Sequence, residues 1–219
     1  MSLKKEVTVI DYGVGNLLSV RRGLEHVGAR VTISSDPVEI LKSKRVILPG
    51  VGAFKSAMVK LDSSRLTLVL NELAEMKVPL LGVCLGMELL FESSEEFGAS
   101  KGLGLIPGNV VPIPRQKING RSLKIPHIGW NSLLHSTRST NIQPEIEIET
   151  FPKTEGRDFY FVHSFMVSPT HAENSIAYAL YGGIKIPAIV NKGSVYGVQF
   201  HPEKSGANGL DLLKWFSKI

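Results

Sequence analysis

The chain has one cysteine, and its neighbours decide what that thiol can do. Cys84 stands in Gly82-Val83-Cys84-Leu85-Gly86, behind an apolar run and ahead of Met87-Glu88-Leu89-Leu90-Phe91, which has a helical pattern. A nucleophile elbow is written this way, because small flanking residues let a strand turn sharply into a helix and lift the side chain out of the sheet. At such a turn the backbone N–H of Leu85 and the helix N-terminus face the thiol, lowering its pKa and offering a donor to a developing oxyanion. The competing account of Cys84 is a small buried hydrophobe. His201-Pro202-Glu203 holds the base that the cysteine lacks: an imidazole to take the thiol proton and a carboxylate two residues on to orient the ring. Taken alone it reads more readily as a solvated turn.

A third loop, Leu48-Pro49-Gly50-Val51-Gly52-Ala53-Phe54, carries two glycines that let backbone N–H groups turn inward, so it is a candidate second half of an oxyanion hole. No Gly-Lys-Ser/Thr follows it, which excludes a Walker phosphate loop. Gly13-Val14-Gly15 has Leu18 where a dinucleotide fingerprint needs its third glycine.

These loops need strand ends to carry them. Val7 to Ile10, Val31 to Ile33, Val46 to Leu48 and Pro79 to Val83 are short apolar runs that read as buried strands, and Leu17 to Val27 and Leu61 to Met76 space their apolar residues as amphipathic helices. The first half is therefore an open, mostly parallel α/β sheet flanked by helices. In the second half, Asn109 to Ile113, Asp158 to Val162, Ile176 to Tyr181 and Val195 to Phe200 are separated by Gly, Pro and Asn turns, so mixed or antiparallel strands are expected there. A last helix spans roughly Gly209 to Lys218, and Ser136 to Pro152 reads as a polar, irregular surface loop. With no internal repeat and no linker, one domain over 1–219 is the expectation.

Composition narrows the function classes. The 219 residues are 43% hydrophobic and 21% charged, typical of a globular protein rather than a disordered one. No run approaches the roughly 20 apolar residues of a membrane span, and the N-terminal residues lack the apolar core of a secretory signal, so a cytoplasmic location is expected. One cysteine among six scattered histidines offers no structural zinc set, and neither metal nor other cofactor is expected. The net charge of +5 comes from 25 basic and 20 acidic residues interspersed along the chain, without a dense basic arm, which argues against nucleic-acid binding.

In this order the pieces resemble the class I (triad) glutamine amidotransferases, whose flavodoxin-like glutaminase domain carries a Cys-His-Glu triad. The narrower resemblance is to the glutaminase subunits of imidazole glycerol phosphate synthase. It rests on Asp11-Tyr12-Gly13-Val14-Gly15-Asn16, Leu48 to Phe54, Gly82 to Met87, Pro126-His127-Ile128-Gly129-Trp130-Asn131, Val162-His163-Ser164-Phe165 and Gln199-Phe200-His201-Pro202-Glu203-Lys204-Ser205, and covers almost the whole chain. The resemblance implies Cys84 as nucleophile, His201 as general base then acid, and Glu203 as its orienting partner. It implies an oxyanion hole from the N–H groups of Gly52 and Leu85, and glutamine held by Gly50, Glu88, His163, Ser164 and Phe165. The family usually has Gln where this chain has Glu88, and a carboxylate there can accept from the substrate's α-ammonium but cannot donate to its α-carboxylate.

The resemblance further implies a heterodimer with a (β/α)8-barrel cyclase subunit, which combines the ammonia with a phosphoribulosyl nucleotide to give imidazole glycerol phosphate and an aminoimidazole carboxamide ribotide in histidine biosynthesis. Asn16, Trp130 and Lys204 match positions near that interface. The isolated chain is expected to be a poor glutaminase, its Pro49 to Gly52 loop withholding an N–H until the partner docks. The alternative is a similar glutaminase subunit that feeds a sugar-aminating enzyme of surface polysaccharide synthesis.

Overall fold

The computed structural model describes residues 5–118, 120–135 and 152–219. The first strand, β1 (Glu6–Ile10), leads through α1 (Leu17–His26) to β2 (Arg30–Ser34) and the short α2 (Pro37–Leu41). Then come β3 (Val46–Gly50), α3 (Phe54–Ser63), α4 (Leu66–Glu75), β4 (Leu80–Cys84) and the one-turn α5 (Leu85–Leu89). A run of strands follows: β5 (Phe91–Ser94), β6 (Ser100–Lys101), β7 (Ile106–Pro112), β8 (Lys117–Ile118), β9 (Arg121–Ser122) and β10 (His127–His135). The chain resumes with β11 (Asp158–His163), β12 (Phe165–Pro169), β13 (Ser175–Tyr181), β14 (Ile184–Lys192), β15 (Val195–Val198) and α6 (Gly206–Phe216).

Nine strands form the main sheet in the order β11-β10-β13-β14-β15-β4-β3-β1-β2. From β2 to β15 the order is the flavodoxin-like one, and those four pairings are parallel. The four pairings from β15 outward to β11 are antiparallel. The open, mixed α/β sheet is as the sequence predicts, but the expected parallel majority is an even split, because β10, β11 and β13 join the same sheet. Asn109 to Ile113 lies elsewhere: β7 belongs to a second, four-stranded sheet, β12-β7-β5-β6.

Alternation along the parallel strands sends residues to two cores. Val7, Val9, Ile47, Leu81, Val83 and Val198 meet Val20 and Leu24 of α1 and Leu212, Leu213, Trp215 and Phe216 of α6 on one face. Ile10, Val46, Leu48 and Leu80 meet Leu61 of α3 and Leu66, Leu70 and Leu73 of α4 on the other, where Phe91, Ile106 and Val110 of the small sheet also pack. With both faces covered, the strands read as continuous apolar runs rather than as alternating ones.

Two helix expectations are corrected. The Leu61 to Met76 periodicity is divided between α3 and α4 by Arg65, whose φ of 59° stops the first helix and restarts the chain at a new angle. The pattern Met87 to Phe91 begins two residues late, since α5 starts at Leu85 and Phe91 already belongs to β5. The loop expected at Ser136 to Pro152 lies, except for Pro152, outside the described residues.

Candidate active site

Cys84 is the last residue of β4 and sits immediately before α5, with φ 55° and ψ −115°. A side-chain-bearing residue in that region stores roughly 1–3 kcal/mol of strain, the cost of turning a strand into a helix within one residue. The thiol is almost fully buried and donates to the Val162 carbonyl at 3.8 Å. Burial pushes its pKa far up, and Glu88 and Glu203 add to this, while the Leu85 N–H and Lys204 oppose it. The resting group is therefore a protonated thiol that needs a base.

That base is in place. β15 pairs in parallel with β4, so the segment leaving β15 passes beside the cysteine. His201 Nδ1 donates to Glu203 Oε1 at 2.9 Å, with side chains only 4% and 1% exposed. This fixes the ring and leaves Nε2, buried and without a hydrogen-bond partner, as the free basic nitrogen. The loop is pinned from below, since the His201 N–H donates to the Tyr160 carbonyl at 2.9 Å and Ser205 Oγ donates to the His201 carbonyl at 2.6 Å.

Cys84 and His201 share one cavity of about 380 Å³. Val51, Gly52, Leu85, Glu88, Glu96, Val162, His163, Ser164 and Phe165 contribute to its walls. Gly52 has φ +94°, a backbone that glycine adopts freely, and the neighbouring Val51 is exposed. The loop is anchored at its start, where Tyr12 Oη donates to the Pro49 carbonyl at 2.9 Å, and at its end, where the Phe54 N–H donates to the Glu96 carboxylate.

His163 closes one end of the cavity through a chain of neutral groups. Its Nδ1 donates to the Phe165 carbonyl at 2.7 Å, so its Nε2 accepts from His127 Nδ1 at 2.9 Å. Burial pulls His163 down to about 3, with the Phe165 carbonyl opposing and His127 and His201 adding, and burial pulls His127 to about 4. Both rings are therefore uncharged around neutral pH. Glu88 is buried beside the cysteine and accepts from Gln199 Nε2 at 3.0 Å.

Of the residues singled out in the sequence, Cys84, His201, Gly52, Leu85, Glu88, His163, Ser164 and Phe165 meet at the cavity, and Glu203 stands behind His201. Gly50 does not reach the wall. It pairs with Cys84 in the sheet, and a Cβ there would strike Gly86 N at 2.7 Å and Tyr12 Oη at 2.9 Å, so its bare backbone lets the elbow pack against β3. Glu96 was missed. It lies in the polar run Ser93-Ser94-Glu95-Glu96, which has no periodicity to mark it, yet its carboxylate accepts from the Phe54 N–H at the start of α3 and lines the cavity.

The three residues assigned to a partner interface lie at the same end of the sheet. Trp130 is 58% exposed and packs edge-on against Tyr160, whose carbonyl holds the His201 loop. Lys204 is exposed on that loop. Asn16 is exposed at the start of α1, accepting from the Ser19 N–H at 3.4 Å, and the adjacent Gly15 packs against Pro49. Among the described residues no group of three His, Cys, Asp or Glu side chains could hold a metal ion, and no helix is long and apolar enough to cross a membrane.

Comparison with known proteins agrees with this geometry. Residues 8–218 match the family model of the class-I glutamine amidotransferases. The chain is 42% identical to "Imidazole glycerol phosphate synthase subunit HisH 1" of Legionella pneumophila strain Lens, over 97% of this chain and 99% of that one. It is 45% identical to the HisH subunit of Bacillus licheniformis over 97% and 96%. Among solved structures, a glutamine amidotransferase superposes with TM-score 0.70 at 15% identity, covering 97% and 99% of the two chains, and PurLQS from Thermotoga maritima with 0.69 at 18%, covering 98% of each. Those two similarities show the fold. An elbow thiol, a carboxylate-held imidazole and an amino-acid-sized cavity on this fold, together with that identity over nearly the full length, make the chain a member of the class-I glutamine amidotransferases and, within them, of the HisH subunits of imidazole glycerol phosphate synthase.

Proposed function

We propose that the chain, as one glutaminase domain, hydrolyses glutamine to glutamate and ammonia on Cys84 and delivers the ammonia to a (β/α)8-barrel cyclase subunit for imidazole glycerol phosphate synthesis in the histidine pathway. The observation that carries this is the free Nε2 of a carboxylate-held His201 in the same cavity as a strained elbow cysteine. The names of the relatives favour the histidine pathway over the sugar-aminating alternative.

The Cys84 proton passes to His201 Nε2 while Sγ bonds the side-chain carbonyl carbon of glutamine. Negative charge then develops on the carbonyl oxygen, which the N–H groups of Leu85 and Gly52 hold; removing one such donor costs about 10²–10³ in turnover. His201 returns the proton to the leaving nitrogen, the C–N bond breaks, and ammonia departs from a thioester. His201 next takes a proton from water, which attacks the acyl carbon and frees glutamate and the cysteine. Glu203 supports the imidazolium in both halves. Glu96, Glu88, Ser164 and the neutral His163 hold the amino-acid end.

Ammonia released into neutral water is largely protonated and no longer nucleophilic, so direct transfer serves the chemistry. Trp130 and Lys204, exposed beside the His201 loop, are the surface on which the cyclase docks, with Asn16 next to the Pro49 loop. The resting thiol faces the Val162 carbonyl, which fits a site that waits for its partner. We take the protein to work in the cytoplasm, where a lone thiol stays reduced.

The test is glutamine hydrolysis by the purified chain, alone and with the cyclase and its nucleotide. Stimulation by the cyclase that disappears in Cys84→Ala supports the reading. Normal turnover in Cys84→Ala, or equal activity with and without the cyclase, overturns it.

A further inference from the structure

Glu88 is the one buried carboxyl group on the cavity wall that the reaction leaves without a defined state. It is 6% exposed and stands one helical turn after Cys84. Among the described residues, no Lys, Arg or His forms an ion pair with it. A carboxylate taken out of water with no cation beside it is strongly disfavoured, and the usual resolution is uptake of a proton.

The amide of Gln199 donates to one Glu88 oxygen but leaves its own oxygen in question. Gln199 Nε2 donates to Glu88 Oε1 at 3.0 Å, and Gln199 Oε1, also fully buried, has no donor among the described residues. Opposite an ionised Glu88, which can only accept, that amide oxygen stays unsatisfied. A proton on Glu88 removes the uncompensated buried charge and gives this pair the hydroxyl donor that an ionised carboxylate lacks. Burial pushes the Glu88 carboxyl up to about 8, the Gln199 hydrogen bond pulling against this and the Glu96 charge adding to it.

Among the described residues, the elements packed most closely on α5 bring no charge that reverses that balance, and across the cavity stand His201, bonded to Glu203, and the neutral His163. β3 presents no charged side chain, and β4 only Cys84. Tyr196 of β15 packs on Trp215 in the core on the opposite face of the sheet. Glu92 of β5 is exposed and bonded to the Gly108 N–H, and Lys55, Lys60 and Asp62 of α3 are exposed.

We infer that Glu88 is an uncharged carboxylic acid paired with Gln199 in the working site, and that this proton, by keeping negative charge away from Sγ, permits Cys84 to ionise. Glu88, besides its place at the amino-acid end of the substrate, thereby sets the upper pH limit of the thiol, and Glu96 is left as the charged carboxylate of the cavity. The inference stands on the glutaminase reading only for its catalytic consequence.

The experiment is alkylation of Cys84 by iodoacetamide between pH 6.5 and 9.5 in the full-length chain, for wild type and Glu88→Gln. Ionisation of Glu88 in the wild type slows its thiol as the pH rises, whereas the variant never acquires that charge. The ratio of variant to wild-type rate is expected to grow about tenfold between pH 6.5 and 9.5, equivalent to one pKa unit on the thiol. A ratio constant and well above one means Glu88 is charged throughout and overturns the inference; a ratio constant near one means Glu88 never ionises in that range and overturns its role in limiting the thiol. Carboxyl carbon NMR of the wild-type chain labelled at glutamate Cδ gives a second reading that needs no variant. One resonance titrating above pH 7 is expected, and completion of all of them below pH 6 overturns it. Neither readout involves glutamine turnover, so a failed glutaminase assay would leave the inference still tested.

Discussion

Gly86 is where packing and chemistry can be separated by one methyl group. A Cβ on Gly86 would lie 1.9 Å from the Leu48 carbonyl oxygen and 2.9 Å from the Leu48 carbonyl carbon, both backbone atoms of the neighbouring β3. An ordinary C···O contact is about 3.3 Å, so Gly86→Ala must push α5 from β3 by about 1.4 Å. That displacement acts on the turn that carries Cys84 and the Leu85 N–H. Misplacing reacting groups by about 1 Å costs on the order of 10² in rate, so kcat/KM for glutamine in the complex should fall at least a hundredfold. Overpacking of this kind costs about 1–3 kcal/mol of stability, or roughly 2–12 °C in Tm for a chain of this size. The assay pairs glutamine hydrolysis with thermal unfolding. A variant with near-wild-type turnover refutes the claim that the Gly86 approach sets the nucleophile's position; loss of activity through global unfolding at 25 °C refutes the claim that the effect is local.

Three further outcomes follow from the geometry. Glu203→Gln keeps the shape of the pair but removes the charge that supports the imidazolium, and should lower glutaminase kcat by about 10²–10⁴ with little change in Tm; turnover within threefold of wild type would sink the triad assignment. Arg65 is exposed with φ 59°, so Arg65→Gly should relieve about 1 kcal/mol and raise Tm by about 2–4 °C, and a lower Tm would contradict the strain argument. His163 and His127 have folded pKa values lowered to about 3 and about 4, whereas the unfolded chain protonates them near 6.5. The unfolded state binds more protons between those values, so stability should fall as the pH drops from about 6.5 to 4, by about 1.4 kcal/mol per pH unit for each histidine. Urea unfolding of wild type and His127→Gln across that range measures it, and equal slopes in the two proteins would refute the assignment.

The parallel half of the sheet was legible because β1, β3 and β4 are covered on both faces and their apolar runs are unbroken. Cys84 and His201 were legible as neighbours because each follows an apolar run, β4 and β15, and those two strands pair in parallel. The outer strands hid for physical reasons. β14 contains Pro187, which cannot donate to a ladder and reads as an edge; it lies between β13 and β15, where the pairing with β13 shifts register at Ala177 and Tyr178. β10 mixes the exposed Ile128 and Trp130 with the buried His127 and Leu133, so its pattern reports a surface as much as a core. β5 is Phe91-Glu92-Ser93-Ser94, with one apolar residue to announce it. Glu96 and the Glu88–Gln199 contact depend on segments distant in sequence, which no local pattern encodes.

The seam where β15 joins β4 has a consequence for how the protein comes into being. Everything up to β4 is made early in synthesis, but the imidazole arrives only after more than half of the chain has followed the cysteine, just beyond a strand that lies between β14 and β4. A nascent chain therefore carries the thiol without its base. The reactive centre is completed only when residues far apart in the chain come together, so a product truncated before His201 cannot squander glutamine, and the onset of thiol reactivity during refolding reports closure of the sheet at β15.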